Sequence, residues 1–152
     1  MHLWLPTADD THALGVRLGR AAGPGTVLAL IGDLGAGKTA LVRGIAEGLA
    51  IRTRIQSPTF VLVQSHSGRL GLWHVDWYRL NAEGEAEDLG LAEIASEGVL
   101  AIEWADRFQS LLPADRLVIA LDGEGEGRTA EIRATGPRHE ALRVAAEAAD
   151  AD

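Results

Sequence analysis

From Val27 to Ile31 five consecutive positions are apolar, and the run stops at a glycine. A short run with no polar member is the pattern of a strand buried on both faces. From Lys38 to Leu49 the spacing turns helical, with Leu41, Val42, Ile45 and Leu49 on one face. Upstream, HLWLP reads as a short edge strand ending at Pro6. A helix follows, with N-cap chemistry from Asp9 and Asp10 and an apolar face of Leu14, Leu18 and Ala21; Gly23-Pro24-Gly25 breaks it. Downstream, FVLVQSH and RLGLWHVD flank Ser67-Gly68 and predict a hairpin. EGEAEDLGLAEIAS reads as a broken acidic helix and VLAIEW as another buried strand. RLVIALD and RTAEIRAT bracket a GEGEG turn, a second hairpin, and the tail from Pro137 is helical and rich in alanine.

This order predicts an α/β sandwich with a mixed central sheet. In such sheets ligands lie at the carboxyl ends of the strands, so functional residues are expected where apolar runs stop. The chain, residues 1–152, reads as one domain without internal repeats, with its tail loosening from about residue 145.

Composition narrows the function. No apolar stretch approaches the roughly 20 residues needed to span a bilayer. The amino terminus lacks the pattern of a signal peptide. The absence of cysteine excludes disulfides and thiolate metal sites and suits the cytoplasm. A formal net charge of -8 argues against a broad surface for nucleic-acid phosphates.

Against this background Gly32 to Thr39, GDLGAGKT, stands out. It reads G-x-x-x-x-G-K-T between a predicted strand and a predicted helix, the context in which that spacing forms a phosphate-binding loop. Gly32, Gly35 and Gly37 let backbone N–H groups turn inward and approach an anion without a Cβ in the way. Of the 14 basic residues Lys38 is the single lysine. A compact ammonium on a flexible stem suits β- and γ-phosphates where a planar guanidinium does not. Thr39 offers a hydroxyl to Mg2+. Guanine readers usually carry Asn-Lys-x-Asp; with the sole lysine in the loop that motif cannot exist, so ATP is favoured.

Two acids end apolar runs. VLAIE delivers Glu103, the best candidate for the Mg2+ side, directly or through water. LWHVD delivers Asp76, placed to orient an attacking water. His74-x-Asp76 is also the spacing of a metal pair, but no further histidine lies at ligand spacing, and a packed or hydrogen-bonded core histidine is the better reading. In QSPTF, Pro58 biases Ser57 to an extended conformation; on the residues alone the stretch reads better as a loop entering a strand, the alternative being a hydroxyl held to sense γ-phosphate as switch loops do. The residues alone leave three functions open: an ATPase, a small-molecule kinase, and a non-catalytic module that senses ATP and binds partners.

Taken together, GDLGAGKTALVRG, SPTFVLV, HVDWYRL, EDLGL and IEW, in that order, resemble the bacterial TsaE (YjeE-like) family of tRNA threonylcarbamoyladenosine biosynthesis. The resemblance covers Gly32 to Trp104; beyond it only Leu112-Pro113-x-Asp115 and Gly127-Arg128 recur. It implies a P-loop NTPase-like fold and a weak ATPase acting with the TsaB–TsaD pair, with tRNA reached only through those partners. It also implies ATP and Mg2+ as cofactors, with Asp33, Gly35, Ala36, Gly37, Lys38, Thr39 and Ala40 around the nucleotide. Thr39 and Glu103 fall on the metal side, and Asp76, Glu103 and Lys38 in catalysis. Thr59 belongs to the first switch, Thr11 approaches the adenine, and Trp104 couples the site to its surroundings.

Overall fold

A computed structural model describes residues 1–33, 35–53, 55, 63–78, 90, 93, 96–123, 125 and 127–149. Its strands are β1 (His2–Leu5), β2 (Thr26–Ile31), β3 (Val63–His66), β4 (Leu72–Asp76), β5 (Val99–Glu103), β6 (Leu117–Asp122) and β7 (Arg128–Ala134). Its helices are α1 (Ala8–Ala21), α2 (Lys38–Gly48), a 3-10 segment at Ala105–Leu111, and α3 (Pro137–Ala149).

The strands form one seven-stranded sheet in the order β1-β7-β6-β2-β5-β4-β3. The central four, β6-β2-β5-β4, are parallel, and antiparallel pairings flank them on both sides. The sheet is mixed, as predicted, and both hairpins form. The all-apolar runs lie where the sheet is covered on both faces. Leu28, Leu30, Ala101, Leu117 and Ile119 pack with Leu14, Leu18, Leu41, Ile45, Leu142 and Ala146 of α1, α2 and α3. The alternate residues Val27, Ala29, Leu100, Ile102 and Val75 pack on the other face with Trp77, Ala105 and Leu112. Among the described residues no helix is long and apolar enough to cross a membrane.

Helix boundaries refine the expectations. The N-cap of α1 is Thr7, not Asp9 or Asp10: Thr7 and Asp10 form a reciprocal capping box, in which Thr7 N–H donates to Asp10 Oδ2 at 2.9 Å. At the other end Ala22, beyond the last helical turn, is buried, while Ala21 is exposed. Arg69 closes this terminus by donating to the carbonyls of Gly19 and Ala22 at 2.7 and 2.9 Å. The last helix runs to Ala149 and buries Ala146, so helical structure continues past residue 145.

The pairing of α1 with α2 is set by glycine. Gly15 and Gly19 of α1 face Gly44 and Gly48 of α2, and a Cβ on any of the four would strike backbone of the other helix. A methyl on Gly15, for example, would lie 2.8 Å from Ile45 N and 2.9 Å from Gly44 Cα. The two backbones therefore run in direct contact, which fixes α1 against the helix that follows the glycine loop.

Candidate functional site

Because β2, β4 and β5 are parallel, their carboxyl ends meet at one edge of the sheet. Leu30 lies opposite Glu103, and Glu103 opposite Asp76. The loop from Gly32 to Gly37 leaves the same edge of β2, so the three apolar runs that stop at functional residues stop together.

Gly35 and Gly37 have φ of +82° and +102°, a region that L side chains rarely adopt. Gly37 is the N-cap of α2 and, without a side chain, leaves the helix's first amides uncapped. An uncapped helix N-terminus with its positive dipole end is an anion site. The loop is held from outside by Arg128 of β7. Its Nε donates to Ala36 O at 3.0 Å and its Nη2 to Gly35 O at 2.9 Å. In a trans peptide the N–H points opposite to the C=O, so fixing Ala36 O aims the Gly37 amide the other way. Thr11 of α1 is buried, and a Cβ built on Gly37 would lie 3.7 Å from its methyl carbon.

Lys38 opens α2 and is buried. Its Nζ donates to Gly32 O at 2.5 Å and lies 3.6 Å from the centre of the Trp104 ring. Burial lowers the ammonium's pKa, and the nearby carboxylates of Glu103, Asp76, Asp106 and Asp33 oppose that shift. Four carboxylates around one ammonium leave a surplus of negative charge, the field in which a divalent cation is at home. Trp104 follows Glu103 directly in a left-handed conformation, φ +60° and ψ +37°. A bulky residue there is strained and persists only when its surroundings hold it, a condition that clusters at functional sites. Here Lys38 lies over the ring, and Tyr78 packs on it with centroids 4.8 Å apart.

Glu103 is buried, and its Oε2 meets Nε2 of the fully buried His74 at 2.5 Å. His74 is thus the hydrogen-bonded core histidine expected from its spacing. Among the described residues no group of three or more histidines or acids is arranged to hold a metal by itself. The Asp76 carboxylate accepts from Tyr78 N–H at 2.8 Å. Burial raises its pKa; that hydrogen bond opposes the rise, and the neighbouring Glu103 adds to it.

The structure therefore brings together Asp33, Gly35, Ala36, Gly37, Lys38, Asp76, Glu103 and Trp104. Thr39 and Ala40 lie in the first turn of α2, and Thr11 packs against the loop. Thr59 and the QSPTF stretch lie outside the described residues, as do most positions of the acidic EDLGL segment. Sequence reasoning missed Arg128 as a site residue. The one signal was Gly127-Arg128 after the second hairpin turn, and nothing local tells that a guanidinium there reaches carbonyls more than 90 positions earlier.

A family model for "Threonylcarbamoyl adenosine biosynthesis protein TsaE" matches residues 5–131. The chain is similar to the tRNA threonylcarbamoyladenosine biosynthesis protein TsaE of Bacillus subtilis, 42% identical over 137 residues, which span 88% of this chain and 85% of that protein. The protein of the same name from Treponema pallidum is 43% identical over 116 residues, covering 76% and 86%. Among solved structures, the crystal structure of Bacillus subtilis YdiB superposes with a TM-score of 0.82 at 34% identity, covering 99% of this chain and 95% of that one.

Proposed function

Since the chain belongs to the TsaE family, whose role is in tRNA threonylcarbamoyladenosine biosynthesis, we propose that it is the component of that machinery which binds and slowly hydrolyses ATP. The observation that carries this reading is the uncapped N-terminus of α2 behind a glycine loop, with Lys38 beside Glu103 and Asp76 at the strand ends. The residues fit a phosphate chain and its cation: open amides and an ammonium for the anion, a buried carboxylate and the Thr39 hydroxyl for Mg2+. When bound, Mg2+ neutralises charge on the β- and γ-phosphates.

The chain's own residues supply the rest. The ammonium of Lys38 leaves the Gly32 carbonyl and follows the phosphates. Glu103 and Thr39 would hold the cation. Asp76, with its proton affinity raised by burial, accepts a hydrogen bond from the attacking water and orients it. Thr11, fixed by the glycine contacts between α1 and α2, borders the nucleotide on the loop's other flank. We take the partner to be the TsaB–TsaD pair, with tRNA engaged through it. No observation favours the small-molecule kinase reading.

The test is phosphate release from ATP with and without TsaB–TsaD. We expect slow turnover by the chain alone and stimulation by the pair, with Asp76→Asn keeping ATP affinity and losing turnover, because a water-orienting group acts mainly in the transition state. Absence of hydrolysis under both conditions, with binding intact, would leave an ATP-sensing module instead. Turnover indifferent to the pair would reopen the kinase reading.

A further inference from the structure

Glu103 has a neighbour that the reading above does not use. His74 sits on the adjacent parallel strand two pairs before the Asp76–Glu103 pair, facing Ala101. Alternation along the strands puts His74, Asp76 and Glu103 on the same side of the sheet as α2. The imidazole is fully buried, Nε2 meets Glu103 Oε2, and Nδ1 is buried without a hydrogen-bond partner among the described residues. A carboxylate oxygen accepts, so the ring nitrogen that faces it, Nε2, carries a proton and donates it to Glu103.

We propose that His74 positions the Glu103 carboxylate for Mg2+, by holding one oxygen so that the other faces the glycine loop. The proposal rests on the reading that Glu103 serves the cation. A glutamate side chain has three rotatable bonds, and the one at the end of β5 has no other hydrogen-bonding partner among the described residues. Without the imidazole its carboxylate is free to swing towards Lys38, whose ammonium is the nearest strong attraction. Partners that orient a metal's ligand are commonly worth about 10–100-fold in metal affinity. His74 touches neither nucleotide nor cation and is a positioning residue.

The decisive pair of variants is His74→Asn and His74→Gln. The asparagine amide nitrogen reaches only the place of Nδ1, whereas glutamine carries an N–H one bond further, near Nε2. Binding of a non-hydrolysable ATP analogue is followed by calorimetry while MgCl2 is titrated, with the wild type and Glu103→Gln alongside. We expect His74→Asn to raise the Mg2+ concentration for half-maximal enhancement by about tenfold or more. Analogue binding in EDTA should stay within about twofold, and His74→Gln should recover most of the loss. A purely structural role would weaken binding in EDTA to the same degree. Should both variants match the wild type while Glu103→Gln shifts the Mg2+ dependence, or should glutamine do no better than asparagine, the positioning role is overturned. A Glu103→Gln protein with unchanged Mg2+ dependence removes the cation role of Glu103, and that of His74 with it.

Discussion

At the scale of single residues, one ammonium and one guanidinium divide the glycine loop between them. Lys38 lies inside it, against Gly32 O and the Trp104 ring, while Arg128 lies outside and holds the carbonyls of Gly35 and Ala36. Lys38→Ala deletes the only lysine and with it, on the proposed reading, a charge-assisted contact to phosphate worth about 1.5–3 kcal/mol. ATP affinity should fall about tenfold or more by calorimetry; unchanged affinity would remove the phosphate-loop assignment. Lys38 was legible in the sequence because the motif, the strand before it and the helix after it sit within a few turns of one another. Glu103 and Asp76 were legible because each ends an apolar run. Arg128 was not, since its partners are backbone carbonyls across the sheet, and a carbonyl leaves no mark in a sequence. The backbone of Trp104 was hidden for the same reason: a left-handed tryptophan is a product of its packing, here against Lys38 and Tyr78.

At the scale of elements, two junctions hold the site's frame, and neither follows from hydrophobic periodicity. The first is the α1–α2 contact. Gly15-x-x-x-Gly19 and Gly44-x-x-x-Gly48 stand in the sequence, yet a periodicity count registers glycine as neither face, so the helix faces are read from Leu14, Leu18, Ala21, Leu41, Val42, Ile45 and Leu49 without the glycines. Gly15→Ala should raise helix propensity by up to about 1 kcal/mol. The clash with α2 backbone opposes this, and the net expectation is a destabilisation of about 1–3 kcal/mol. Gly23→Ala is the control, since a Cβ there meets nothing within 4 Å; its effect should stay within about 0.5 kcal/mol in a urea titration. Equal effects at the two positions would refute the backbone contact. The second junction ties α3 to β2. Asp115 Oδ1 meets His139 Nδ1 at 2.8 Å, and His139 Nε2 accepts from the buried Val27 N–H at 2.8 Å. The ring must be neutral to accept there. Burial lowers its pKa from 6.5, with the bond to Asp115 opposing. The unfolded chain then binds the proton more readily than the fold does, so stability is full above about pH 6.5 and declines as pH falls below it towards the depressed native value. His66 is shifted the same way, so the measurement is a difference. The urea midpoint should drop from pH 7.5 to 5.5 by more in the wild type than in His139→Gln. An equal drop in both would show that His139 does not set this dependence.

At the scale of the whole molecule, several guanidinium groups are tied to backbone carbonyls. Arg43 donates to Ile55 O at 3.2 Å, and Arg107 to the carbonyls of Trp77 and Tyr78 at 2.8 and 2.7 Å. With Arg128 on the glycine loop and Arg69 on the end of α1, these side chains are engaged at loop roots and helix termini. Guanidinium groups held on backbone carbonyls are poorly placed to gather phosphates, and the chain carries a net charge of -8. Direct tRNA binding would need several phosphate contacts and would fall steeply with salt. Family membership links the chain to tRNA threonylcarbamoyladenosine biosynthesis all the same, and on the proposed reading the tRNA is held by another protein on which this one docks. We predict that the purified chain shows no appreciable tRNA binding in a filter or anisotropy assay at about 0.15 M salt. Addition of TsaB–TsaD should bring chain and tRNA into one complex. Tight tRNA binding by the isolated chain, weakening strongly as salt is raised, would contradict the proposal. It would show that the acidic composition hides a basic surface, and it would move this protein from partner-borne to direct contact with tRNA.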